Sequence, residues 1–317
     1  MERFAAPVPN VIDERAEHPL RAAAGYDHPW YAWAPLPGRV PLSWPGERSL
    51  AVSVVIHLTA SEWEENPGPG PRPPGGRGVG PFPDFPRMSH REFGHRVGVF
   101  RLLQALERID VRPAVVIDVL TAERYPRLVD HLVAADPELV AGGLSASRPI
   151  TGAMSEAEER DYIDETMSRL AAACGVRPRG WLGPEHSESA RTPRLLAEAG
   201  LGYVADWGND ERPYPMTGEA EGLWAYPLSW ELSDLNMMFL RQLTPSAYSS
   251  ALLEASHVMA AGGPGHGRAL GIHLHPWLTG QAFRAAALAR ALARIRRSPR
   301  VWFAPPGDVV DHCRRAG

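Results

Sequence analysis

The stretch AVSVVI, Ala51 to Ile56, decides the fold class, because small and β-branched apolar residues in so short a run predict a buried strand. The run PAVVIDVL, Pro113 to Leu120, predicts a second strand, and Glu138 to Ala141 a third. Further strands are predicted at 180–182, 203–206, 224–227, 269–275 and 301–304. Seven or eight strands separated by helices predict an α/β fold with a parallel sheet, and 317 residues suit a barrel.

Helices are predicted where apolar residues recur every three or four positions. This spacing occurs at Val99, Leu102, Leu103 and Leu106, at Ile163, Met167, Leu170 and Cys174, and at Leu288, Leu292 and Ile295. Ser155 and Glu158 have the spacing of a capping box, which predicts that the second of these helices begins there.

Proline and glycine divide the chain into an extension, a barrel and one long loop. Residues 1–48 are rich in proline, which prevents long helices, while Trp30, Tyr31 and Trp33 predict that this extension packs on the barrel. Residues 49–317 are predicted to form the barrel domain. Within it, residues 66–86 are predicted to be a Gly/Pro loop that acts as a lid or a subunit contact, or is disordered.

The composition excludes several classes of protein. The net charge of −4 offers no basic field for nucleic acid or an anionic membrane. The sequence has no lysine, which excludes a lysine Schiff base, lysine-anchored pyridoxal phosphate and the P-loop lysine. Cys174 and Cys313 make neither a zinc motif nor a disulfide framework. Without a visible signal peptide or a long apolar span, the chain is expected to be soluble and cytoplasmic.

Polar residues follow the predicted strands where a barrel places its active site, at the carboxyl ends. They are His57, Glu185, His186, Asp206, Asn209, Asp210, Glu231, Asp234, His273 and His275. His273 and His275 alternate with Leu274 and therefore face the same side of a strand. Two histidines and several carboxylates at one barrel mouth suit either metal binding or acid–base chemistry.

Each candidate also has a structural interpretation. His273 and His275 could be hydrogen-bonded core residues, and Asp206 and Asp210 could hold loops. The run from Glu185 to Glu188 resembles a loose triad, but spacing alone does not make a serine nucleophile. Arg284 could clamp a carboxylate or lie on a helix face. The acidic run beginning at Glu62 is typical of a solvated loop.

Several longer motifs resemble the polysaccharide deacetylase superfamily, or carbohydrate esterase family 4, in its allantoinase-like and cyclic imide hydrolase-like branch. They are SHREFGHRVGVFRLL from Ser89, GWLGP from Gly180, TPRLLAEAG from Thr192, DWGNDERPY from Asp206, WELSD from Trp230, LHPWLTGQAFR from Leu274 and VWFA from Val301. The resemblance runs from about Ser49 to Cys313. It implies a distorted (β/α)7-type barrel, a homo-oligomer (dimer or tetramer) and hydrolysis of linear or cyclic amides.

The sequence departs from this family at the positions that would bind metal. Metal-using members hold the ion with an Asp and two His in a His-x-x-x-His pattern, and this branch has Asn-x-Glu after strand one and His-Gly after strand three. Here Thr59 replaces the Glu, Gly142 replaces the His, and Ala146 stands four residues further on. None of these side chains is a good ligand for a divalent ion, so the family metal site is predicted to be absent, with no cofactor.

We therefore expect a metal-independent hydrolase of the carbon–nitrogen bond in a small cyclic amide or imide. Glu231 is the expected base and His275 the acid or oxyanion donor, with Asp206 and His57 as further catalytic residues. The expected substrate-binding residues are Arg91, Glu92, Arg96, Trp181, Asp210, Asp234, His273 and Arg284. The alternatives are a scaffold repurposed for another reaction of small-molecule metabolism, using His57 or His273, and a catalytically silent relative that binds a ligand.

Overall fold

The computed structural model describes residues 28–63 and 84–316. Nine strands in these ranges form one sheet: β1 (Leu50–Leu58), β2 (Ala114–Ile117), β3 (Glu138–Ala141), β4 (Gly180–Trp181), β5 (Tyr203–Val204), β6 (Tyr214–Pro215), β7 (Trp224–Ala225), β8 (Arg268–Leu274) and β9 (Val301–Phe303). The order across the sheet is β6-β7-β5-β4-β3-β2-β1-β8, and β9 also pairs with β1. The sheet curls into a half-barrel covered by helices, which confirms the predicted α/β barrel class.

Ten α-helices lie in the described ranges: α1 (Phe85–Phe93), α2 (Val99–Glu107), α3 (Val119–Arg124), α4 (Pro126–Ala134), α5 (Glu156–Cys174), α6 (Thr192–Glu198), α7 (Pro245–Ala260), α8 (Pro276–Thr279), α9 (Ala282–Arg296) and α10 (Pro306–Ala316). A π-helical turn, Gly94–Gly98, joins α1 to α2. The capping box at Ser155 and Glu158 is present at the start of α5, as predicted. No helix in residues 28–63 or 84–316 has the length and apolarity needed to cross a membrane.

The long strand β1 separates two cores. Leu50, Val52, Val54, Ile56 and Leu58 face the helices, whereas Ala51 and Val55 face the concave side of the sheet. The same alternation in β8 sends Leu270, Ile272 and Leu274 outward. Because side chains alternate along a strand, His57 and His273 point toward the concave side, near the carboxyl ends of the parallel strands.

The predicted strands are present, but the all-parallel sheet is wrong in one place. β6 pairs antiparallel with β7, through Tyr214 opposite Ala225 and Pro215 opposite Trp224. The sequence analysis missed β6, because two residues that include a proline carry no strand signal. The predicted strands at 180–182, 203–206 and 224–227 are also shorter, with two residues each.

The described part of the N-terminal extension contacts the barrel at two places. Trp44 is buried, and its indole N–H donates to the carbonyl of Arg268 at 2.7 Å. Nearer the start, the rings of Trp30 and Tyr31 lie 5.7 and 5.6 Å from the ring of Trp207. The rest of the extension, residues 1–27, lies outside the described residues, as do residues 66–83 of the predicted loop. At its end, Asp84 caps α1.

Glycines set the position of α8 against the turn between α1 and α2. A Cβ atom on Gly98 would lie 2.0 Å from the carbonyl oxygen of Pro276, and one on Gly94 would lie 2.8 Å from the backbone nitrogen of Trp277. Only glycine allows backbones to approach this closely. The backbone that follows His275 is therefore held directly by this turn.

Candidate active site

Four histidines from three parts of the fold meet at the concave face of the sheet. The ring of His57, on β1, lies 5.1 Å from that of His273 on β8 and 4.6 Å from that of His275, which follows β8. His186, in the turn after β4, lies 5.7 Å from His273 and 6.4 Å from His57. We call these four residues the histidine cluster. The same-face prediction for His273 and His275 agrees with this geometry.

Burial holds three of these imidazoles in the neutral form. Desolvation, together with the neighbouring histidines, places the pKa of His57 and the pKa of His273 well below the ordinary value. Burial, with a contribution from His275, lowers the pKa of His186 to about 4. Within residues 28–63 and 84–316, the Nε2 atoms of His57 and His273 and the Nδ1 atom of His186 have no hydrogen-bond partner. Unpartnered buried nitrogens at one place indicate a site that accepts a polar ligand or ordered water.

His275 differs from the other three because a buried carboxylate orients it. Its Nδ1 lies 2.6 Å from Oδ1 of Asp234, and its backbone N–H donates to Oδ2 at 2.7 Å. The hydroxyl of Thr279 donates to the same oxygen. The Asp234 side chain is fully buried, whereas that of His275 is 15% exposed. This arrangement fixes the proton on Nδ1 and leaves Nε2 free to accept one, which is the form a general base requires.

Two arginines stand beside this pair. The guanidinium of Arg91 lies 4.2 Å above the ring of Trp277, and the charge of Asp234 acts on it. Burial nevertheless lowers the pKa of Arg91 to about 10. Arg284 donates to the carbonyl of Leu278 at 3.3 Å, and its Nε has no partner in the described part of the chain. Both arginines offset the charge of Asp234, as cations near a buried carboxylate do.

On the side of the histidine cluster that carries His186, the carboxyl groups of Asp206 and Glu188 lie close enough for each to affect the pKa of the other, and Oε2 of Glu188 has no hydrogen-bond partner among the described residues. Asp206 also accepts from the backbone N–H of Gly183 at 2.9 Å, and Glu188 accepts from the indole N–H of Trp207 at 3.0 Å. Oδ1 of Asp206 lies 3.6 Å from Nδ1 of His186. Burial and the neighbouring carboxyl raise the pKa of Asp206 well above its ordinary range, and burial raises the pKa of Glu188 to about 7.

The turn that carries His186 has an unusual backbone. Glu185 and His186 both adopt the left-handed conformation, with φ of 56° and 55°. Consecutive non-glycine residues of this kind cost energy and occur preferentially at functional sites. The turn brings His186 within 4.7 Å of the ring of Trp230, which is 45% exposed. Trp230 thus offers an accessible flat surface beside the cluster.

Trp181 lies beneath this turn and is fully buried. Its indole N–H has no hydrogen-bond partner among the residues that the structure describes. A Cβ on Gly183 would lie 3.3 Å from this nitrogen and 3.5 Å from Oδ2 of Asp206. That Cβ would also lie 2.9 Å from the carbonyl oxygen of Ser187, which is too close for a side chain, so only glycine fits at this position.

Four of the expected site residues lie elsewhere. Glu231 is 69% exposed and pairs with Arg241 at 2.8 Å, so its position does not support the role of base. Asp210 binds Arg39 through both oxygens at 2.7 Å, which indicates a structural role for its loop. Arg96 is exposed on the turn after α1. Glu92 accepts from the hydroxyl of Tyr125 at 2.9 Å.

The residues at the family's metal positions do not fit a metal ion. Thr59, Gly142 and Ala146 offer at most one hydroxyl, and a Cβ on Gly142 would already lie 3.0 Å from Cγ1 of Val116. Across residues 28–63 and 84–316, no group of three or more His, Cys, Asp or Glu side chains has an arrangement that could hold a metal. The histidine cluster is included in that statement, because its rings stack rather than point at a common centre.

A separate groove of about 1050 Å³ lies beside β8 and includes none of the four histidines. Its polar lining includes Asp210 and Arg212, from the loop after β5, and Arg268, the first residue of β8. The chemistry of the histidine cluster, rather than the size of this groove, identifies the candidate active site.

The sequence analysis placed His186 among the polar residues that follow the strands and Glu188 only in the loose triad, and it named neither Glu188 nor Trp230 among the expected site residues. The available signal was their place in the loops after β4 and β7, where a barrel carries its site. It also placed Asp234 among substrate-binding residues, whereas the structure places it behind His275.

Fold and site together define an α/β half-barrel of the polysaccharide deacetylase class, with acid–base groups at the carboxyl ends of its strands. Comparison with solved structures confirms the resemblance. A protein assigned as a polysaccharide deacetylase from Mycobacterium smegmatis is 26% identical with a TM-score of 0.75, over 88% of this chain and 94% of that one. PuuE allantoinase is 25% identical with a TM-score of 0.75, over 86% and 92%.

A protein from Pseudomonas aeruginosa PAO1, also assigned as a polysaccharide deacetylase, is 26% identical with a TM-score of 0.75, over 86% and 93%. A pseudoenzyme of carbohydrate esterase family 4 from Bacillus anthracis, 12% identical with a TM-score of 0.50, shares the fold only. No model of a known protein family matches the chain, and no curated protein matches it either. The neighbours support a deacetylase-fold hydrolase.

Proposed function

We propose that this protein hydrolyses the carbon–nitrogen bond of a small cyclic amide or imide without a resident metal ion. The hydrogen bond between Asp234 and Nδ1 of His275, at 2.6 Å, is the observation that carries the proposal. It makes His275 the base, in place of the Glu231 that the sequence favoured. The similarity to an allantoinase supports amide hydrolysis as the reaction class.

In this reaction, Nε2 of His275 takes a proton from water while the water oxygen attacks the carbonyl carbon. Asp234 stabilises the imidazolium that forms, because a buried carboxylate interacts strongly with an adjacent positive charge. Arg91, which stacks on Trp277 two residues after His275, is the cation assigned to balance the developing oxyanion. Trp230 provides a flat apolar surface for a planar ring.

The proposal of metal independence rests on the side chains at the metal positions. The hydroxyl of Thr59 is a weak donor for a divalent ion, and Gly142 and Ala146 have none. The histidine cluster does not replace them, because no group of three or more His, Cys, Asp or Glu side chains in residues 28–63 and 84–316 is arranged to hold a metal ion. No step of the reaction is therefore assigned to a metal.

The test is hydrolysis of hydantoin, dihydrouracil, succinimide and allantoin by chelator-treated protein, with elemental analysis of the same sample. We expect ring opening of at least one of these compounds, with a transition metal content well below one per chain. His275→Gln should abolish the activity, whereas Glu254→Gln, an exposed carboxylate on α7, should not change it. A stoichiometric metal whose removal stops turnover would contradict metal independence. Binding of these compounds without turnover would favour a silent relative.

A further inference from the structure

Three hydrogen-bond donors without an acceptor lie on or against α8, the short helix that follows His275. We propose that these donors bind a carboxylate, so that the substrate is a small cyclic amide or imide with a carboxylate on its ring or on a short side chain. This inference rests on the proposed hydrolysis and names the substrate class for it.

Arg91 is the first of these donors. Its guanidinium carbon lies 4.2 Å from the centre of the Trp277 ring, and the half-buried side chain makes no hydrogen bond or ion pair with any residue that the structure describes. Arg39, which is also half-buried, binds both oxygens of Asp210 instead. A guanidinium has five N–H groups and accepts nothing, so Arg91 offers a positively charged surface that no acceptor in the described chain fills.

The second and third donors are the indole of Trp277 and the guanidinium of Arg284. Trp277 is only 5% exposed, and neither its indole N–H nor Nε of Arg284 has a partner within residues 28–63 and 84–316. Arg284 is attached to the same helix, because its Nη1 donates to the carbonyl of Leu278 at 3.3 Å. That bond leaves the edge formed by Nε and Nη2, and such an edge can bind both oxygens of a carboxylate.

Asp234 does not supply the missing acceptor. Its Oδ1 lies 2.6 Å from Nδ1 of His275, and its Oδ2 accepts from the backbone N–H of His275 and from the hydroxyl of Thr279. Glu185, the other carboxylate that acts on the charge of Arg91, is exposed and makes no ion pair in the described structure. The unfilled positions are all donors, and a cation supplies most of them, so the group that fills them is an acceptor with a negative charge.

This donor site adjoins the proposed base. The ring centres of His275 and Trp277 lie 6.2 Å apart, so a small ring whose carbonyl lies at Nε2 of His275 can place a substituent at Arg91. Arg91 has enough N–H groups for one carboxylate oxygen and for the oxyanion assigned to it in the mechanism. A neutral carboxamide at the same position would set its NH₂ group against the donors, which selects for the acid.

The first test is binding and needs no turnover. The probes are pyroglutamate, a five-membered cyclic amide with a carboxylate, and pyroglutamide, its neutral amide. Calorimetry at low salt should show at least about tenfold tighter binding of pyroglutamate, the usual effect of a hydrogen bond to a charged group. Arg91→Gln should abolish this preference. Arg290→Gln, which removes the same charge from an exposed position on α9, should keep it.

Arg284→Gln provides a second variant in case Arg91→Gln does not fold. It should weaken the binding of pyroglutamate by about tenfold and leave that of pyroglutamide unchanged. Equal affinity for the two compounds, binding of neither, or a preference that persists in both variants would overturn the proposal.

The second test uses turnover of hydantoin-5-acetate and its matched neutral amide, hydantoin-5-acetamide. The unmodified protein should open the acetate with a kcat/KM at least about tenfold higher. Trp277→Phe, which keeps a ring beneath Arg91 but removes the indole N–H, should lower this ratio severalfold. If both rings open with equal kcat/KM, the hydrolysis stands and the carboxylate site is refuted. If neither ring opens, the proposed hydrolysis fails, and the binding preference still decides whether the site exists.

Discussion

Asp234→Asn is the substitution that most directly tests the candidate active site. The asparagine has nearly the same shape and keeps one acceptor for the backbone N–H of His275. Its amide group, however, donates to Nδ1 of His275, so the imidazole proton moves to Nε2. The nitrogen that should take a proton from water is then already protonated.

The size of the effect follows from the burial of the pair. Asp234 is fully buried, and removing one partner of a buried charged pair costs about 3–5 kcal/mol. If that loss falls on the transition state, where His275 becomes positively charged, about 4 kcal/mol lowers kcat by roughly a thousandfold. The fold should lose far less, about 1 kcal/mol for one hydrogen bond, or a few degrees in Tm.

The assay is ring opening of the best compound from the hydantoin, imide and allantoin set. It is combined with nitrogen NMR of the His275 ring in the resting protein. We expect the proton on Nδ1 in the unmodified protein and on Nε2 in Asp234→Asn. Glu231→Gln serves as the comparison. Its exposed carboxylate pairs with Arg241, and the substitution should change kcat less than twofold if Glu231 has no part in the reaction. An Asp234→Asn protein with more than a third of the normal kcat, or an unchanged His275 tautomer, would refute this reasoning.

Three further predictions concern stability and are read by thermal unfolding. Gly98→Ala should lower the free energy of unfolding by about 1–3 kcal/mol or more, because the new Cβ meets the backbone of α8. Gly152→Ala, which has open space around it, should leave stability unchanged, and equal effects of the two substitutions would contradict this packing. His186→Gln should be less acid-sensitive than the unmodified protein. The folded-state pKa of His186 is lowered from 6.5 to about 4, so its contribution is complete above pH 6.5 and is lost as pH falls toward 4; parallel curves at about pH 5 and pH 8 would contradict this. Arg39→Ala should cost about 1–3 kcal/mol by leaving Asp210 without its two-bond partner, and an unchanged Tm would show that the pair is not needed.

The strands and long helices could be predicted because their signals are local. The run at 51–56 is buried on both faces, because a hydrophobic core lies on each side of β1. The capping box at Ser155 specifies the start of α5 by itself. β6 could not be predicted, because its pairing depends on the neighbouring strand and not on Tyr214 and Pro215 themselves.

Site residues could be predicted only where the alternation of side chains along a strand determines which face of the sheet they occupy. His273 and His275 follow from the period of β8. The sequence could not show whether Glu231 or Asp234 belongs to the site. The two residues are three positions apart in an irregular segment, yet Glu231 is exposed and Asp234 is buried. The approach of His186 to Asp206 depends on the left-handed turn at Glu185 and His186, and neither residue type predicts that conformation.

The packing of Trp30 and Tyr31 on Trp207 links residues that are far apart in the sequence. Trp207 bonds to Glu188 on one side and supports the beginning of the described chain on the other. Trp207 thus connects Tyr31 to a carboxyl group that is more than 150 positions away in sequence. We expect substitutions at Tyr31 to alter the surroundings of Glu188 through the Trp207 ring, so that the N-terminal extension contributes to the environment of the site.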